Sequence, residues 1–357
     1  MALDATLWDE PTTGIARYGR SVWQALVDRG VKVLRVGARR SGELPRRLRS
    51  RTLYTLAELP AALPRSGASL FHAVGNVDLP LRRTPGVPYV LTVHDLIPLT
   101  APQTVSRAFH WQFRLWLSRS LAVADRVVCV SAWTRDQLLA QHPELDPARV
   151  SMVHNGVDHV RPGPLDPVTR SWLRSLALPQ RWVLFAGALD ARKNLDLVLD
   201  ALERMGTEAP ALVLAGQPWY GSGAIERRIG RLRSSGIDIR PLGFLAEPLL
   251  WALMAQAPVF VFPSREEGFG LPPLEAMALG TPVVVSTAGA LPEVCGPAAV
   301  QVSAADAGAL AGAMRRLLDD PAERARRAEA GRAHARGFRW EAVADHLLDV
   351  YRSVARG

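Results

Sequence analysis

Two carboxylates, Glu267 and Glu275, flank the segment GFGLPPL and together could hold a polyhydroxylated ligand. Carboxylates only accept hydrogen bonds, and neighbouring hydroxyls of a sugar are donors that such groups hold in pairs. The apolar run APVFVFPS before them predicts a strand, and LEAMALG after Pro272 and Pro273 predicts a helix that Gly280 ends. Glu267 is therefore expected before the helix and Glu275 in its first turn, both facing one pocket. The alternative for Glu275 is that it only complements the helix dipole.

The residues between the two glutamates suit an anion. Gly268 and Gly270 have no side chain that would block a closely approaching ligand. The start of a helix presents N–H groups without intrahelical partners and the positive end of the helix dipole. The backbone N–H groups around Phe269 to Leu271 are therefore expected to contact a diphosphate.

A second anion site is predicted in the segment FAGALDARKNLDLVLDAL. A strand ends there at Gly187, and a helix follows with Asn194 as its N-cap, so Arg192 and Lys193 directly precede a helix start. Two adjacent cations suit the charge that builds up on a departing diphosphate. Only two of the 43 basic residues are lysines, which makes the lysine at this position notable. The alternative is a solvated basic turn.

Three residues nearer the N-terminus are further candidates. The strand pattern YVLTVHD places His94 at its carboxyl end, where active-site residues of parallel sheets collect, although a structural role is the alternative. Gly14 lies in the first strand-to-helix loop, PTTGIARYGRSV, and could lie close to a ligand. His72, after SLF, is a weaker candidate.

Short apolar runs alternate with helical patterns along the chain and predict an α/β protein with parallel sheets. The predicted strands of a first sheet are VKVLRVG, SLFHAV, YVLTVHD, RVVCVS and RVSMVHN; those of a second are RWVLFAG, ALVLAG, PVFVFPS and PVVVS. The proline-rich segment HVRPGPLDPVTR predicts a linker. We predict two Rossmann-like, doubly wound domains, residues 1–165 and 178–338, facing across a cleft, and a final helix in residues 339–357 packing back towards the first domain.

Composition narrows the class of protein. The 357 residues are 48% hydrophobic and 22% charged, as in ordinary globular proteins, and the net charge is +9. No long apolar run and no signal-peptide pattern occur, so a cytoplasmic location is expected. The two cysteines, Cys129 and Cys295, lie in or beside apolar runs and are expected to be buried thiols rather than a disulfide or a metal site.

In this order, the motifs resemble a known family. TGIARYGRSV, YVLTVHDLIPL, ADRVVCVSAWTRDQL, VHNGVD, GALDARKNL, LGFL, PSREEGFGLPPLEAMALGTPVV and FRWEAVADHLLDVYR span almost the whole chain. The sequence resembles the retaining, nucleotide-sugar-dependent glycosyltransferases of family 4, which have the two-domain GT-B fold. The block from EGFG to the second glutamate carries most of the specificity. One departure is Ala188, where some relatives have an arginine.

The resemblance implies a role for each candidate. Glu275 would hold the donor ribose, Glu267 would contact the transferred sugar, and His94 would contact the sugar or the developing charge. The implied catalytic residues are His94, Glu267, Arg192 and Lys193. The implied donor-binding residues are Gly14, Arg192, Lys193, Leu242, Gly243, Phe244, Glu267, Gly268, Phe269, Gly270, Leu271 and Glu275, with Leu242 to Phe244 bordering the base.

The resemblance also implies transfer that retains the anomeric configuration by a front-face mechanism. No Asp-x-Asp metal motif occurs, so cations and a helix start are expected to stabilise the diphosphate without a metal or other cofactor. The segment TVHDLIPL is similar to a subgroup in which mannose is often transferred from GDP-mannose. The expected donor is therefore GDP-mannose, with UDP- or dTDP-linked sugars and a small-molecule acceptor as the alternative.

Two basic segments suggest where the acceptor is bound. ARRSGELPRRLRSR is rich in arginine, and SRAFHWQFRLWLSRS interleaves arginines with aromatic residues. Both could recruit the enzyme to anionic lipid at the inner face of the cell membrane, as a lipid-linked rather than a soluble glycan acceptor would require. The alternatives are a solvated basic loop and an ordinary core helix.

Three other function classes would each show a distinguishing sign. The net charge would suit a nucleic-acid-binding protein, but no recognised RNA- or DNA-binding motif accompanies it, and no nucleic-acid partner is expected. A sugar-nucleotide epimerase would turn over without an acceptor. A phosphorylase with pyridoxal phosphate on Lys193 would show a visible absorption band.

Overall fold

The computed structural model describes residues 1–8, 14–37, 55, 58–80, 82–160, 163–217 and 223–355. The chain divides into two compact units, the first made of Met1–Gly156 with Arg339–Gly357 and the second of Val157–Phe338. The proline-rich segment predicted as a linker belongs to the second unit. The C-terminal residues belong to the first.

The first unit is built on a parallel six-stranded sheet in the order β2-β1-β3-β4-β5-β6. Its strands are β1 (Ala2–Asp4), β2 (Leu34–Val36), β3 (Phe71–Ala73), β4 (Tyr89–Val93), β5 (Arg126–Cys129) and β6 (Val150–Met152). Its helices are α1 (Gly14–Asp28), α2 (Leu59–Ser66), α3 (Ile97–Thr100), α4 (Arg107–Val123), α5 (Ala132–Gln141) and, after the second unit, α14 (Trp340–Ala355).

Helices on both faces explain the continuous apolar strands of this sheet. Every residue of β4 is buried, as expected for a central strand of a covered parallel sheet. On one face, α1 and α14 form a core that includes Leu3, Tyr18 and Leu347. On the other, Phe71 and Phe113 belong to a core to which α4 contributes. Cys129 in this unit and Cys295 in the second unit are both buried thiols.

The second unit repeats the architecture with a parallel six-stranded sheet in the order β12-β11-β10-β7-β8-β9. Its strands are β7 (Trp182–Ala186), β8 (Ala211–Ala215), β9 (Ile239–Gly243), β10 (Phe260–Phe262), β11 (Val283–Ser286) and β12 (Val300–Val302). Its helices are α6 (Pro167–Ser175), α7 (Leu195–Met205), α8 (Gly223–Ser234), α9 (Glu247–Gln256), α10 (Leu271–Ala278), α11 (Leu291–Cys295), α12 (Ala307–Asp319) and α13 (Pro321–Ala335).

The nine strands predicted from the sequence are present in the expected sheets, and the predicted α/β class is confirmed. Three further strands, β1, β9 and β12, were not predicted. All three lack a run of several apolar residues: β1 ends in an aspartate, β9 reads IRPLG and β12 reads VQV. β9 can include Pro241 because it lies at the edge of its sheet, where one side needs no ladder hydrogen bonds.

The strand order locates the place in each sheet where a ligand is expected. In the second unit the chain runs from β7 through β8 to β9 and then returns to place β10 on the other side of β7. The loops after β7 and β10 therefore diverge and leave a crevice at the carboxyl ends of these strands, which is where doubly wound sheets bind ligands. In the first unit the corresponding reversal lies between β1 and β3.

Candidate functional site

The loop after β10 leads into α10 through a glycine in a left-handed conformation. Gly270 occupies the N-cap position with a φ of 100°, and a β-carbon there would lie 2.6 Å from the Leu291 side chain. Both the backbone angle and the space thus require glycine. The helix begins at Leu271, earlier than predicted, because its first turn accommodates Pro272 and Pro273.

This early start corrects the expected position of Glu275 and limits which residues of the first turn can donate a hydrogen bond. Glu275 lies in the second turn rather than the first, so it is too far along the helix for a purely dipolar role at the terminus. Prolines have no N–H group, so Pro272 and Pro273 cannot donate to an anion. Leu271 is therefore the one residue among the first three of α10 whose backbone can donate.

A second close approach fixes the loop that carries Glu267. Gly289, which precedes α11, has a φ of 62°, and a β-carbon on it would lie 2.5 Å from the backbone nitrogen of Glu267. The next residue, Ala290, donates its N–H to the carbonyl oxygen of Glu267 at 2.9 Å. Gly289 could not be identified from the sequence, because the sequence alone does not show which loops lie in contact.

Glu267 is held by both predicted cations, and we call Glu267, Arg192 and Lys193 the glutamate clamp. The Nζ of Lys193 donates to Oε1 of Glu267 at 2.7 Å, and Nη1 of Arg192 donates to the same oxygen at 2.6 Å. Lys193 and Glu267 are buried, and the ammonium of Lys193 lies 4.4 Å from the centre of the Phe262 ring. The clamp joins the loops after β7 and β10, at the reversal of strand order.

The charges of this region balance. Arg192 also lies 3.5 Å from Oδ2 of Asp190, whose Oδ1 accepts the Lys193 backbone N–H at 2.9 Å. The two predicted cations therefore lie beside two carboxylates, Asp190 and Glu267, and not in a solvated basic turn. Asp190 was not among the predicted site residues, although its place three residues before Lys193 is that of a capping side chain.

Burial and charge pull the pKa values of the clamp in opposite directions. Burial lowers the pKa of Lys193 from its ordinary value, and the attraction of Glu267 only partly offsets this. Burial alone would raise the pKa of Glu267, but the charges of Arg192 and Lys193 outweigh it, so this pKa lies below its ordinary value. Glu267 is consequently a carboxylate at neutral pH and acts as an acceptor only.

Asn194 differs from the prediction. It occupies the N-cap position of α7 with a φ of 59°, but its side chain does not cap the helix. The side-chain nitrogen instead donates to the carbonyl oxygens of Pro263, at 3.0 Å, and Ala304, at 2.8 Å. Asn194 therefore ties the loop after β7 to the loop after β10 and helps hold the clamp together.

Glu275 has a histidine partner, His159, that was not among the predicted site residues. Its carboxylate is 1% exposed, and Oε1 lies 3.1 Å from Nε2 of His159. His159 also packs against Trp251, with the two ring centroids 5.7 Å apart. His159 directly follows the motif VHNGVD, but its separation from Glu275 in sequence gives no reason to pair the two residues.

The three residues predicted to border a nucleotide base lie at the edge of the same sheet. Leu242 and Gly243 end β9, and the carbonyl oxygen of Gly243 accepts the backbone N–H of Gly216 at 2.8 Å. Phe244 follows and is 46% exposed, so its ring is available to a ligand. These residues lie at the carboxyl edge of the sheet, two strands from β7.

The candidates of the first unit lie close to its own reversal of strand order. His94 follows β4, and its Nε2 lies 2.6 Å from the carbonyl oxygen of Val74, which follows β3. A carbonyl oxygen only accepts, so Nε2 carries a proton. The ring of Tyr18 packs edge-on against His94 at a centroid distance of 4.9 Å. Gly14 is the first residue of α1 and is exposed.

His72, the weaker candidate, lies inside the core. It is fully buried, its Nδ1 lies 2.7 Å from the hydroxyl of Tyr351, and its Nε2 lies 2.7 Å from Oγ1 of Thr92. The same Thr92 oxygen lies 3.1 Å from the hydroxyl of Tyr18. Burial lowers the pKa of His72 to about 3, so the ring is neutral and links β3, β4, α1 and α14 as a structural group.

The described residues include neither a candidate metal centre nor a membrane-spanning helix. They contain no group of three or more His, Cys, Asp or Glu side chains arranged to hold a metal ion. No helix in the described part of the chain is both long and apolar enough to cross a bilayer. The arginine-rich segment ARRSGELPRRLRSR, residues 38–51, lies outside the described residues.

Known proteins resemble this chain in sequence and in fold. A model described as Glycosyltransferase Family 4 matches residues 12–161, and one described as Glycosyl transferases group 1 matches residues 180–320. The chain is 32% identical over 290 residues to the alpha-maltose-1-phosphate synthase of Mycolicibacterium smegmatis, with 76% of this chain and 74% of the relative covered. It is 33% identical over 285 residues to the MMP alpha-(1->4)-mannosyltransferase of Mycolicibacterium hassiacum, with 76% and 67% covered.

A solved structure of sucrose-phosphate synthase from Thermosynechococcus elongatus matches with a TM-score of 0.74 at 24% identity, covering 99% of this chain and 98% of that one. The fold of two Rossmann-like units is thus that of the GT-B class, as predicted. Given its curated relatives and the two matching models, the chain belongs to the GT-B glycosyltransferases.

Proposed function

We propose that this enzyme moves a hexosyl group from a nucleoside diphosphate sugar to a glycan or lipid-linked acceptor, with retention of the anomeric configuration. The observation that carries the proposal is the glutamate clamp at the reversal of strand order in the second unit. It combines an ionised acceptor for sugar hydroxyls with two cations suited to a diphosphate, in the place where this type of sheet binds ligands.

The proposed chemistry follows from the way the clamp is paired. Arg192 and Lys193 share one oxygen of Glu267. A bound diphosphate would compete for these cations, which would stabilise the charge that develops on the leaving group. Glu267 would then hold hydroxyls of the transferred sugar, and Glu275 those of the donor ribose. Because the front-face mechanism needs no enzymic nucleophile, Glu267 acts by binding and positioning.

The remaining donor contacts are assigned by position. The backbone of Gly268 to Leu271 would contact the phosphates together with Gly14, and Leu242 to Phe244 would border the base. The exposed ring of Phe244 supports stacking on a base. His94, whose protonated Nε2 is fixed by Val74, would contact the sugar or the developing charge.

We propose that transfer needs no divalent cation, because Arg192 and Lys193 supply the charge that a metal ion supplies elsewhere. Single-turnover transfer in excess EDTA should therefore proceed at the rate seen with Mg²⁺ or Mn²⁺. Loss of transfer in EDTA that either ion restores would contradict this part of the proposal.

For the donor we propose GDP-mannose. The similarity to a protein named as a mannosyltransferase supports this choice. The second candidate is a UDP- or dTDP-linked sugar with a small-molecule acceptor. The similarity to a protein named as an alpha-maltose-1-phosphate synthase, whose named product is a small sugar phosphate, supports the small acceptor. Thermal melts with GDP, UDP, dTDP and ADP at equal concentration would decide, since the nucleotide that binds most tightly raises Tm most.

Retention is tested on the product. The matching donor sugar is incubated with candidate acceptors, and the anomeric proton of the new linkage is observed by NMR during the reaction. The α-linked donor should give an α-linked product from the first turnover. A β-linked product would overturn the retaining assignment, and donor consumption without any acceptor would favour an epimerase or a hydrolase.

A further inference from the structure

The helix α4 (Arg107–Val123) presents apolar side chains to solvent. Trp111 is 57% exposed, Leu115 is 68% exposed and Phe109 is 47% exposed. Large apolar side chains that are exposed singly are normal, but here three lie on one helix of the first unit. The helix is fixed in place, since its inner face buries Phe113 and Leu117 in the core.

The charged side chains of this helix are all basic. Trp111 and Leu115 are four residues apart and therefore neighbours at the outermost face of the helix. Arg107 and Arg114 fall on one side of this pair and Arg119 on the other, and all three are exposed. The guanidinium of Arg114 lies 5.5 Å from the centre of the Trp111 ring. The helix contains no aspartate or glutamate.

We propose that this face, defined by Trp111, Leu115, Arg107, Arg114 and Arg119, docks on the surface of an anionic lipid bilayer. A tryptophan and a leucine between arginines match the layers of a bilayer surface, because the apolar rings and methyl groups enter the acyl boundary while the guanidinium groups remain among lipid phosphates. The helix lies in the plane of the surface and does not cross it.

The positive charge of this face favours an anionic lipid surface over a second copy of the chain as its partner. A symmetric pairing through this face would bring the arginines of two copies together, and the helix offers no carboxylate to balance them. An anionic lipid surface supplies the missing negative charge at every arginine. The sequence suggested two membrane-binding segments, ARRSGELPRRLRSR and SRAFHWQFRLWLSRS. The proposal rests on the second, which forms most of α4 and lies within the described residues.

The proposal extends the proposed function, since a bilayer would present a lipid-linked acceptor, but its test needs no turnover. Co-sedimentation with vesicles of phosphatidylcholine alone and of phosphatidylcholine with phosphatidylglycerol is measured at low and high salt. The wild-type protein should bind the anionic vesicles, bind neutral vesicles at least about tenfold more weakly, and lose affinity in high salt.

Two pairs of variants separate the apolar and the charged contributions. Trp111→Ser with Leu115→Ser should lower the partition coefficient at least about tenfold, and the control Val168→Ser, an apolar residue 77% exposed in the second unit, should not. Arg114→Glu with Arg119→Glu should also lower the partition coefficient at least about tenfold, but on anionic vesicles only. Arg231→Glu with Arg233→Glu, two exposed positions on α8, is its matched control.

Three results would overturn the proposal. They are failure of the wild-type protein to bind anionic vesicles at low salt, equal binding by the Trp111 and Leu115 variant, and a dimer of the wild-type protein in solution that this variant dissociates. Nucleotide-induced shifts of Tm, measured on the same variants, should remain those of the wild-type protein. Failure of the membrane proposal is thereby distinguished from failure of the donor assignment, which would remove those shifts from the wild-type protein too.

Discussion

Replacing Glu267 by glutamine should weaken the fold and strengthen the binding of a nucleoside diphosphate. The carboxylate oxygen lies 2.7 Å from the Lys193 ammonium and 2.6 Å from the Arg192 guanidinium, and the clamp is largely buried. Removing one partner of a buried ion pair costs about 3–5 kcal/mol, because the remaining charge is left without compensation. The free energy of unfolding should fall by about this amount, and Tm by roughly 6–20 °C.

The opposite sign is expected for ligand binding. In the variant the two cations no longer have the Glu267 carboxylate as a competitor, so more of their positive charge acts on a bound diphosphate. A unit charge at about 4 Å contributes up to roughly 4 kcal/mol at an effective dielectric constant of 20. Because water and the nearby Asp190 carboxylate screen this gain, we expect about 1.4 kcal/mol, a tenfold lower Kd. Transfer should nevertheless fall, since the acceptor of sugar hydroxyls is lost.

Isothermal titration with the nucleoside diphosphate that most stabilises the wild-type enzyme measures this change, and thermal melts measure the loss of stability. Glu208→Gln makes the same chemical change at an exposed position of the same unit and should alter neither quantity. If the Glu267 variant binds the diphosphate no more tightly than the wild-type enzyme, the clamp does not face the phosphates and the assignment of Arg192 and Lys193 is wrong.

Three other perturbations test separate parts of the structure. His159→Leu removes the partner of the buried Glu275 carboxylate and should raise the donor Kd about tenfold in titration calorimetry, with little change in kcat; an unchanged Kd would contradict the pairing. His72 has a folded-state pKa of about 3, below the unfolded value of about 6.5, so its contribution to stability is present above pH 6.5 and is lost by about 1.4 kcal/mol per pH unit as pH falls towards 3. His72→Gln should therefore flatten this acid limb in denaturant titrations at several pH values, and an unaltered slope would show that the group does not titrate as described. Gly289→Ala should lower the free energy of unfolding by more than the roughly 1–3 kcal/mol of backbone strain, because the added β-carbon would also clash with the Glu267 backbone. The control Gly236→Ala, at a φ of 95° with open space around it, should cost only the strain. Equal melting points of the two variants would refute the close packing of Gly289 against Glu267.

The sequence predicted the architecture because parallel sheets leave a strong local signal. Buried strands such as β4 and β8 are short apolar runs, and the helices between them carry their own apolar periodicity. β1, β9 and β12 escaped prediction because they are short and include polar residues or proline. Their place depends on a neighbouring strand, which local composition does not encode.

The sequence predicts where each motif of the site lies on its own strand, but not which motifs come into contact. The residues of EGFG and ARKN follow strands, so their position at a carboxyl edge follows from the chain alone. The pairing within the clamp does not, because it depends on β10 lying beside β7 and not beside β9. Gly289 and His159 could not be predicted either, because each acts through a contact with a residue far away in sequence.

The membership of α14 in the first unit bears on how the polypeptide matures. Trp340, Val343 and Leu347 complete a core that otherwise consists of residues from the first half of the chain, such as Leu3 and Tyr18. During synthesis the ribosome delivers these last residues after the entire second unit has emerged. The second unit is therefore able to fold while the first still lacks one of its walls, and a nascent chain stalled before Arg339 would expose apolar surface to chaperones and proteases.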